Sequence, residues 1–258
     1  MSILEIKNLS KNFGGLSAVF DVSIDINEGE LVGLIGPNGA GKTTMFNLLT
    51  GVYTVSEGSI AYNHQGKILD IENKKPYIIS NLGVTRTFQN IRLFKKLTVL
   101  DNVKIAMHKL CNYGFISAVL RLPKYYRQEN EVTEKAMALL KEVGLQEKAK
   151  VIAENLPYGE QRRLEIARAL ATDPKLLFLD EPAAGMNPKE TIELTDLIKK
   201  IRDKYNLTIL LIEHDMSVVM NVCERIYVLD YGSIIAEGKP EEIKHDKKVI
   251  EAYLGGDI

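Results

Sequence analysis

The chain has 258 residues, 45% hydrophobic and 26% charged, with a formal net charge of −1. These are the proportions of an ordinary globular protein long enough to bury a sizeable core, and the near-zero charge excludes a general electrostatic attraction to nucleic acid or anionic lipid. The two cysteines, Cys111 and Cys223, offer neither metal-ligand spacing nor a disulfide framework. No run approaches the roughly 18 apolar residues that cross a bilayer. Residues 1–7 carry charges where a secretory leader has its apolar stretch. The expectation is a cytoplasmic protein whose membrane role, if it has one, is peripheral.

In chain order, residues 3–10 alternate like a half-buried strand, 11–15 form a turn and 22–26 alternate again, which predicts an N-terminal antiparallel layer. The apolar run 31–35 reads as a buried strand, and a glycine-rich loop then opens a helix that ends at Gly51. Residues 58–62 and 67–71 predict a hairpin, 76–82 a helix and 83–89 a further strand. Between residues 91 and 155 the apolar spacing turns helical, over 100–110 and 132–143, which predicts a helical insertion of roughly 65 residues. The α/β pattern then resumes, with helices at 160–171, 188–204 and 216–223. Strands follow at 175–180, 207–213, 225–230 and 233–237, and the tail closes with short helices over 241–254. Buried strands separated by helices define an α/β fold with a three-layer core.

The organising motif is Gly36-Pro37-Asn38-Gly39-Ala40-Gly41-Lys42-Thr43, a G-x-x-x-x-G-K-[ST] loop between a buried strand and a helix that begins at Thr44. Its glycines let backbone N–H groups turn inward, and the helix N-terminus favours the same negative charge. This predicts a P-loop core that binds a nucleoside triphosphate, with Lys42 on the β- and γ-phosphates and the Thr43 hydroxyl on Mg²⁺. Asp180 and Glu181 end a buried strand, the edge where ligands sit in open α/β sheets. Asp180 would hold the metal and Glu181 would accept a proton from the water attacking the γ-phosphate. His214 follows another buried strand and can bond the γ-phosphate or serve a purely structural role. Gln89 offers an amide for metal and water or a plain surface group, and Phe13 is either core or an adenine-stacking face. Gly159 starts a helix whose amides form a second anion site, unexpected in a chain that already has one.

Together these residues resemble the ATP-binding cassette (ABC) transporter ATPases over nearly the whole chain. Residues 36–43 match Walker A, Gln89 the Q-loop, 156–161 the signature and 176–181 Walker B. Residues 183–187 match the D-loop, His214 the switch histidine and Phe13 the aromatic A-loop. The resemblance implies one domain over 1–258, in which 1–90 and 156–258 form the core plus an antiparallel β subdomain, and 91–155 the helical insertion. It implies a head-to-tail dimer with a second ATPase subunit, ATP being held between residues 36–44 of one chain and Tyr158, Gly159 and Glu160 of the other. It also implies docking to permease subunits at the inner face of the membrane, an indirect substrate-binding partner, and no nucleic acid. The sharper likeness, carried by Arg86–Phe94, Tyr158–Ile166, Glu181–Pro188 and a long stretch near Cys111–Lys124, is to the ATPases of branched-chain amino acid importers. ATPases of urea, amide or lipopolysaccharide transporters share much of it.

Two departures stand out. The usual Leu-Ser-Gly-Gly-Gln is Leu156-Pro157-Tyr158-Gly159-Glu160 here, so Pro157 brings neither a hydroxyl nor an N–H to the γ-phosphate. A bond to a charged group contributes about 1.5–3 kcal/mol, so a weak ATP-dependent dimer is expected. The D-loop aspartate is Asn187, which removes a charge. A soluble P-loop kinase has no use for the signature helix. A cassette ATPase of DNA repair or translation would bring a coiled-coil or zinc insertion or a second cassette.

Overall fold

The computed structural model describes residues 1–108 and 123–254. Contacts divide the chain into two compact units, Met1–Arg86 with Lys175–Ile258, and Thr87–Pro174.

The first unit contains both sheets. Strands β1 (Ser2–Phe13), β2 (Leu16–Asn27), β4 (Glu57–His64) and β5 (Lys67–Asp70) form an antiparallel sheet in the order β2-β1-β4-β5. The second sheet contains β3 (Leu31–Ile35), β6 (Val84–Arg86), β7 (Leu176–Asp180), β8 (Thr208–Ile212), β9 (Arg225–Asp230) and β10 (Ser233–Gly238), in the order β10-β9-β3-β8-β7-β6. It is parallel except for β10, which pairs antiparallel with β9 at the edge. Every residue of β3, β7 and β8 is buried, which is why these strands read as continuous apolar runs rather than alternating ones. The helices of this unit are α1 (Lys42–Leu49), α2 (Pro76–Asn81), α6 (Pro188–Tyr205), α7 (Met216–Val222), α8 (Pro240–His245) and α9 (Lys247–Leu254).

One apolar cluster joins the inner faces of the two sheets, from Leu4, Ile6 and Ile26 through Phe46 to Phe178 and Leu210. Within it the rings of Phe46 and Phe178 lie 5.2 Å apart. Arg225 ties the sheets at their margin, donating to Glu30, to the backbone and carboxylate of Asp25 and to Glu237.

The second unit contains α3 (Val99–Ala106), α4 (Pro123–Glu142) and α5 (Tyr158–Leu170). Thr98 caps α3 by accepting from the Asp101 amide. The insertion expected over 91–155 is therefore part of a larger unit that includes α5, because α5 packs on α3 and α4. The helix expected at 100–110 ends at Ala106 among the described residues. The long stretch near Cys111–Lys124 lies mostly outside them.

Several boundaries differ from expectation. β1 continues to Phe13, so the turn narrows to Gly14-Gly15. The strand expected over 83–89 is β6 alone, since Gly83 has φ 89 and pairing with β7 ends at Arg86. α4 covers the described residues from Pro123 onward rather than only those from 132, because its first turns there are polar and lack the apolar spacing that marks its buried part at Val132, Ala136 and Leu140.

Phe178 touches both a neighbouring strand and α1. Phe178→Ala should therefore lower stability by about 3–5 kcal/mol, read as a fall in the denaturant midpoint at unchanged slope.

Candidate nucleotide site

Gly36 follows β3 with φ 150, and a Cβ there would lie 1.9 Å from the Leu229 carbonyl of β9. Gly41, with φ 107, caps α1, and a Cβ there would lie 2.5 Å from the Ala18 carbonyl of β2. Neither position has room for a side chain. Lys42, the first residue of α1, folds back and donates from Nζ to the carbonyls of Gly36 at 2.7 Å and Pro37 at 2.9 Å. Burial pushes its pKa down, while the carboxylates of Glu181 and Asp180 pull it back up. The loop thus carries a cation already aimed across its own curve. Thr43 is exposed on the first turn and Thr44 half-buried beside it. The outer face of the loop, Pro37 to Ala40, lines a cleft of about 590 Å³ that also borders Tyr231 and Lys248.

The ends of β7 and β8 supply three acids, each handled differently. Asp180 is buried and takes a hydrogen-bonded ion pair from Arg86, whose other Nη donates to Asn47 at 2.7 Å. Arg86 also lies over the Phe46 ring, 5.3 Å from its centroid. Glu181, next in the chain, has φ 46, and its amide donates to the Ile212 carbonyl at 2.9 Å. Its Oε1 is 2.6 Å from His214 Nε2. With Glu181 ionised, the ring N–H is the donor, because a carboxylate can only accept. Glu213 is buried, and burial raises its pKa against the opposing bonds from the Ala183 and His214 amides. Phe13 lies at the end of β1, 44% exposed, edge-on to Tyr53 at 5.3 Å. The Lys11 ammonium lies over the same ring, 4.9 Å from its centroid.

Whether these groups suit Mg²⁺ can be judged from the donor set. Asp180 is a buried carboxylate already holding a cation, Thr43 adds a hydroxyl, and both are the hard oxygen donors this ion takes. Among the described residues there is no cluster of three or more His, Cys, Asp or Glu side chains. Mg²⁺ is commonly held by one or two carboxylates, other oxygens and the substrate's phosphates rather than by a protein cage.

The remaining predicted residues belong to the second unit. Gln89 lies in an exposed bend after Phe88. Tyr158, Gly159 and Glu160 form the first turn of α5, which starts one residue before the glycine that was expected to open it. Pro157 occupies the N-cap with φ −53 and ψ 154, and no side chain caps the helix. Proline favours this extended conformation ahead of a helix but leaves the capping acceptor missing. Tyr158 is 44% exposed, Gly159 is buried, and Glu160 is held by Lys148 at 2.6 Å. In the first unit, Asn187 starts its own helix. Its side chain accepts the Glu190 amide and Glu190 returns a bond to its backbone, a capping box at the head of α6.

A phosphate loop between two sheets, an acid pair at the end of β7 and a histidine after β8 define a nucleotide-hydrolysing cassette. The chain belongs to the ABC transporter family, whose family model matches residues 19–184. A second family, described as "Branched-chain amino acid ATP-binding cassette transporter", matches residues 233–258. The chain is 48% identical over 253 residues, 98% of each sequence, to the high-affinity branched-chain amino acid transport ATP-binding protein LivG of Salmonella typhimurium. It is also similar to the crystal structure of an ABC transporter's ATP-binding cassette in its ADP conformation, with TM-score 0.83 and 33% identity over 99% of both chains. A further neighbour is a dimeric cassette in a post-hydrolysis state bound to ADP and Pi. It has TM-score 0.75 and 26% identity, covering 92% of this chain and 98% of that one.

Arg86 was legible only as part of a motif, and Glu213 only as an acid ending an apolar strand. Replacing Arg86 with Ala leaves the buried Asp180 carboxylate without its guanidinium. That should lower stability by about 3 kcal/mol, seen as a drop in Tm measured without nucleotide, with Arg86→Lys intermediate.

Proposed function

We propose that this chain is the ATP-hydrolysing subunit of a membrane importer for branched-chain amino acids, acting as one of a pair of cassettes on the inner face of the membrane. The observation that carries the hydrolytic reading is the Glu181–His214 contact at 2.6 Å, in the unit that also holds the Lys42 loop and Asp180. The importer and its cargo are supported by the likeness to LivG along 98% of both chains and by the match over residues 233–258. No helix among the described residues is long and apolar enough to cross a membrane, which fits a subunit that reaches the bilayer through permease partners. The dimeric neighbour supports pairing with a second cassette.

On this reading Phe13 stacks on adenine, and residues 36–44 wrap the phosphates with their amides. Lys42 turns from the Gly36 and Pro37 carbonyls to the β- and γ-oxygens. Thr43, Asp180 and Gln89 would hold Mg²⁺, which when bound offsets charge on the phosphates. Glu181 accepts the proton of the attacking water, and His214 holds that carboxylate in place and orients the γ-phosphate. Tyr158, Gly159 and Glu160 of one chain close over the nucleotide of the other, so closure assembles the site and draws the permease subunits with it. A substrate-binding protein delivers cargo to those subunits from the opposite side.

Glu181→Gln should reduce ATP turnover by about 10²–10⁴-fold, the usual contribution of a general base, while equilibrium binding of ATP is retained. Turnover at the parental rate would remove Glu181 from the role. In that Glu181→Gln background, Pro157→Ser supplies both a helix cap and a γ-phosphate donor. ATP-dependent dimerisation measured by sedimentation should then tighten by about tenfold or more.

A further inference from the structure

Among the described residues the bulkiest fully buried side chain is a charged one, Arg162. It lies in α5 one turn after Tyr158, and Glu165, three residues further on, shares its face of the helix. The guanidinium donates from Nη1 to the Phe88 carbonyl at 2.7 Å and to Glu165 Oε2 at 2.8 Å. From Nη2 it donates to the Gln89 carbonyl at 2.7 Å and to the Tyr158 hydroxyl at 3.2 Å. Glu165 Oε1 accepts the amides of Phe88 at 3.5 Å and Arg92 at 3.3 Å. Burial pushes the Glu165 carboxyl up, and Arg162 foremost pulls it back down. Arg92 in turn lies over the Phe88 ring, 3.9 Å from its centroid.

Stability alone does not account for this arrangement. An apolar pair of similar volume is commonly as stable as a buried ion pair or more so. What the charged pair has and an apolar pair lacks is direction. The planar guanidinium fork spans two successive carbonyls, and the carboxylate closes the same loop from its amide side. Residues 88–92 have no helix or strand ladder of their own, so their main-chain groups are paired instead by a helix more than 70 residues away in sequence.

We propose that Arg162 and Glu165 are positioning residues that clamp the backbone of residues 88–92 to α5, so that Gln89 and the turn Tyr158–Glu160 are displaced as one piece. This rests on the ATPase reading for its consequence, though the clamp itself does not. Gln89 answers to the nucleotide of its own chain and Tyr158–Glu160 to the nucleotide of the other. A rigid link between them lets occupancy of one site report on the other without any contact between the two ligands. The bistable element is the second unit's α5 together with the loop it grips.

The test uses the full chain and the double variant Arg162→Met/Glu165→Leu, which removes the clamp without leaving a lone buried charge. Its Tm should return close to the parent's, whereas Arg162→Met alone should lie well below it. Hydrogen exchange of the amides in 88–92, measured without nucleotide, should accelerate by about tenfold or more, as local opening becomes easier. In turnover, kcat should fall by about a hundredfold for a misplaced loop, with KM for ATP within about twofold of the parent. Adding Arg162→Met to Gln89→Ala should lower kcat no further than Gln89→Ala does alone, the mark of two residues on one path. A folded double variant with parental exchange in 88–92, or with parental kcat, overturns the proposal. Should the double variant not fold, Arg162→Lys decides by the same two readings, because an ammonium cannot span both carbonyls. The exchange arm stands even if the parent hydrolyses no ATP, so failure of the clamp and failure of the ATPase reading give different results.

Discussion

The first unit depends on a close approach of main chain to main chain. The loop after β3 passes so near the Leu229 carbonyl at Gly36, and the Ala18 carbonyl at Gly41, that no Cβ fits at either end. Leu229 belongs to the parallel sheet and Ala18 to the antiparallel one. The loop is therefore gripped at its entry by one sheet and at its exit by the other, and the Gly232 amide bonds the Ala40 carbonyl between them at 2.9 Å. The curvature of the loop is imposed from outside by packed strands. A loop held in this way need not be ordered by a ligand, which would spare binding the entropy of ordering it.

The same economy governs the charges. Three acids stand at the ends of two adjacent buried strands, where like charges would repel and desolvation is expensive. Each is stabilised differently. Asp180 has a guanidinium, Glu181 an imidazole, and Glu213 the backbone amides of Ala183, His214 and Asp215 after β7 and β8. Different partners give neighbouring carboxylates different chemistry, which is how one edge of a sheet can hold both a cation ligand and a proton acceptor. In the second unit the buried charges face irregular backbone instead, and there the effect is mechanical.

Much of this was readable in one dimension. The glycine loop, the apolar strands with their terminal acids and the amphipathic helices carry local signals, namely spacing, periodicity and punctuation, and these depend only on neighbouring residues. What could not be read is what pairs across the chain. Arg86 and Asp180 are 94 residues apart, and Arg162 is 73 residues from the carbonyl of Gln89. In sequence, Arg162 is one of two adjacent arginines on what looks like a wet helical face, and nothing local tells which one is buried. Boundaries differ for a related reason: α4 includes polar turns ahead of its apolar ones, and β6 leaves the ladder at Arg86 although β7 runs on to Asp180. Asn187, conspicuous as a departure from the family pattern, turned out to have a helix to start.

Glu181 has one further implication. Its φ of 46 puts an unbranched but bulky acid in a left-handed turn, a conformation that disfavours every L residue by about a kcal/mol or more and glycine hardly at all. A glycine at this position would relax the backbone at the loss of the contact with His214. Under selection for durability alone, the acid would drift away. Its presence therefore marks a position where the chain is less comfortable than it could be, and where hardier variants would test the role proposed for the acid.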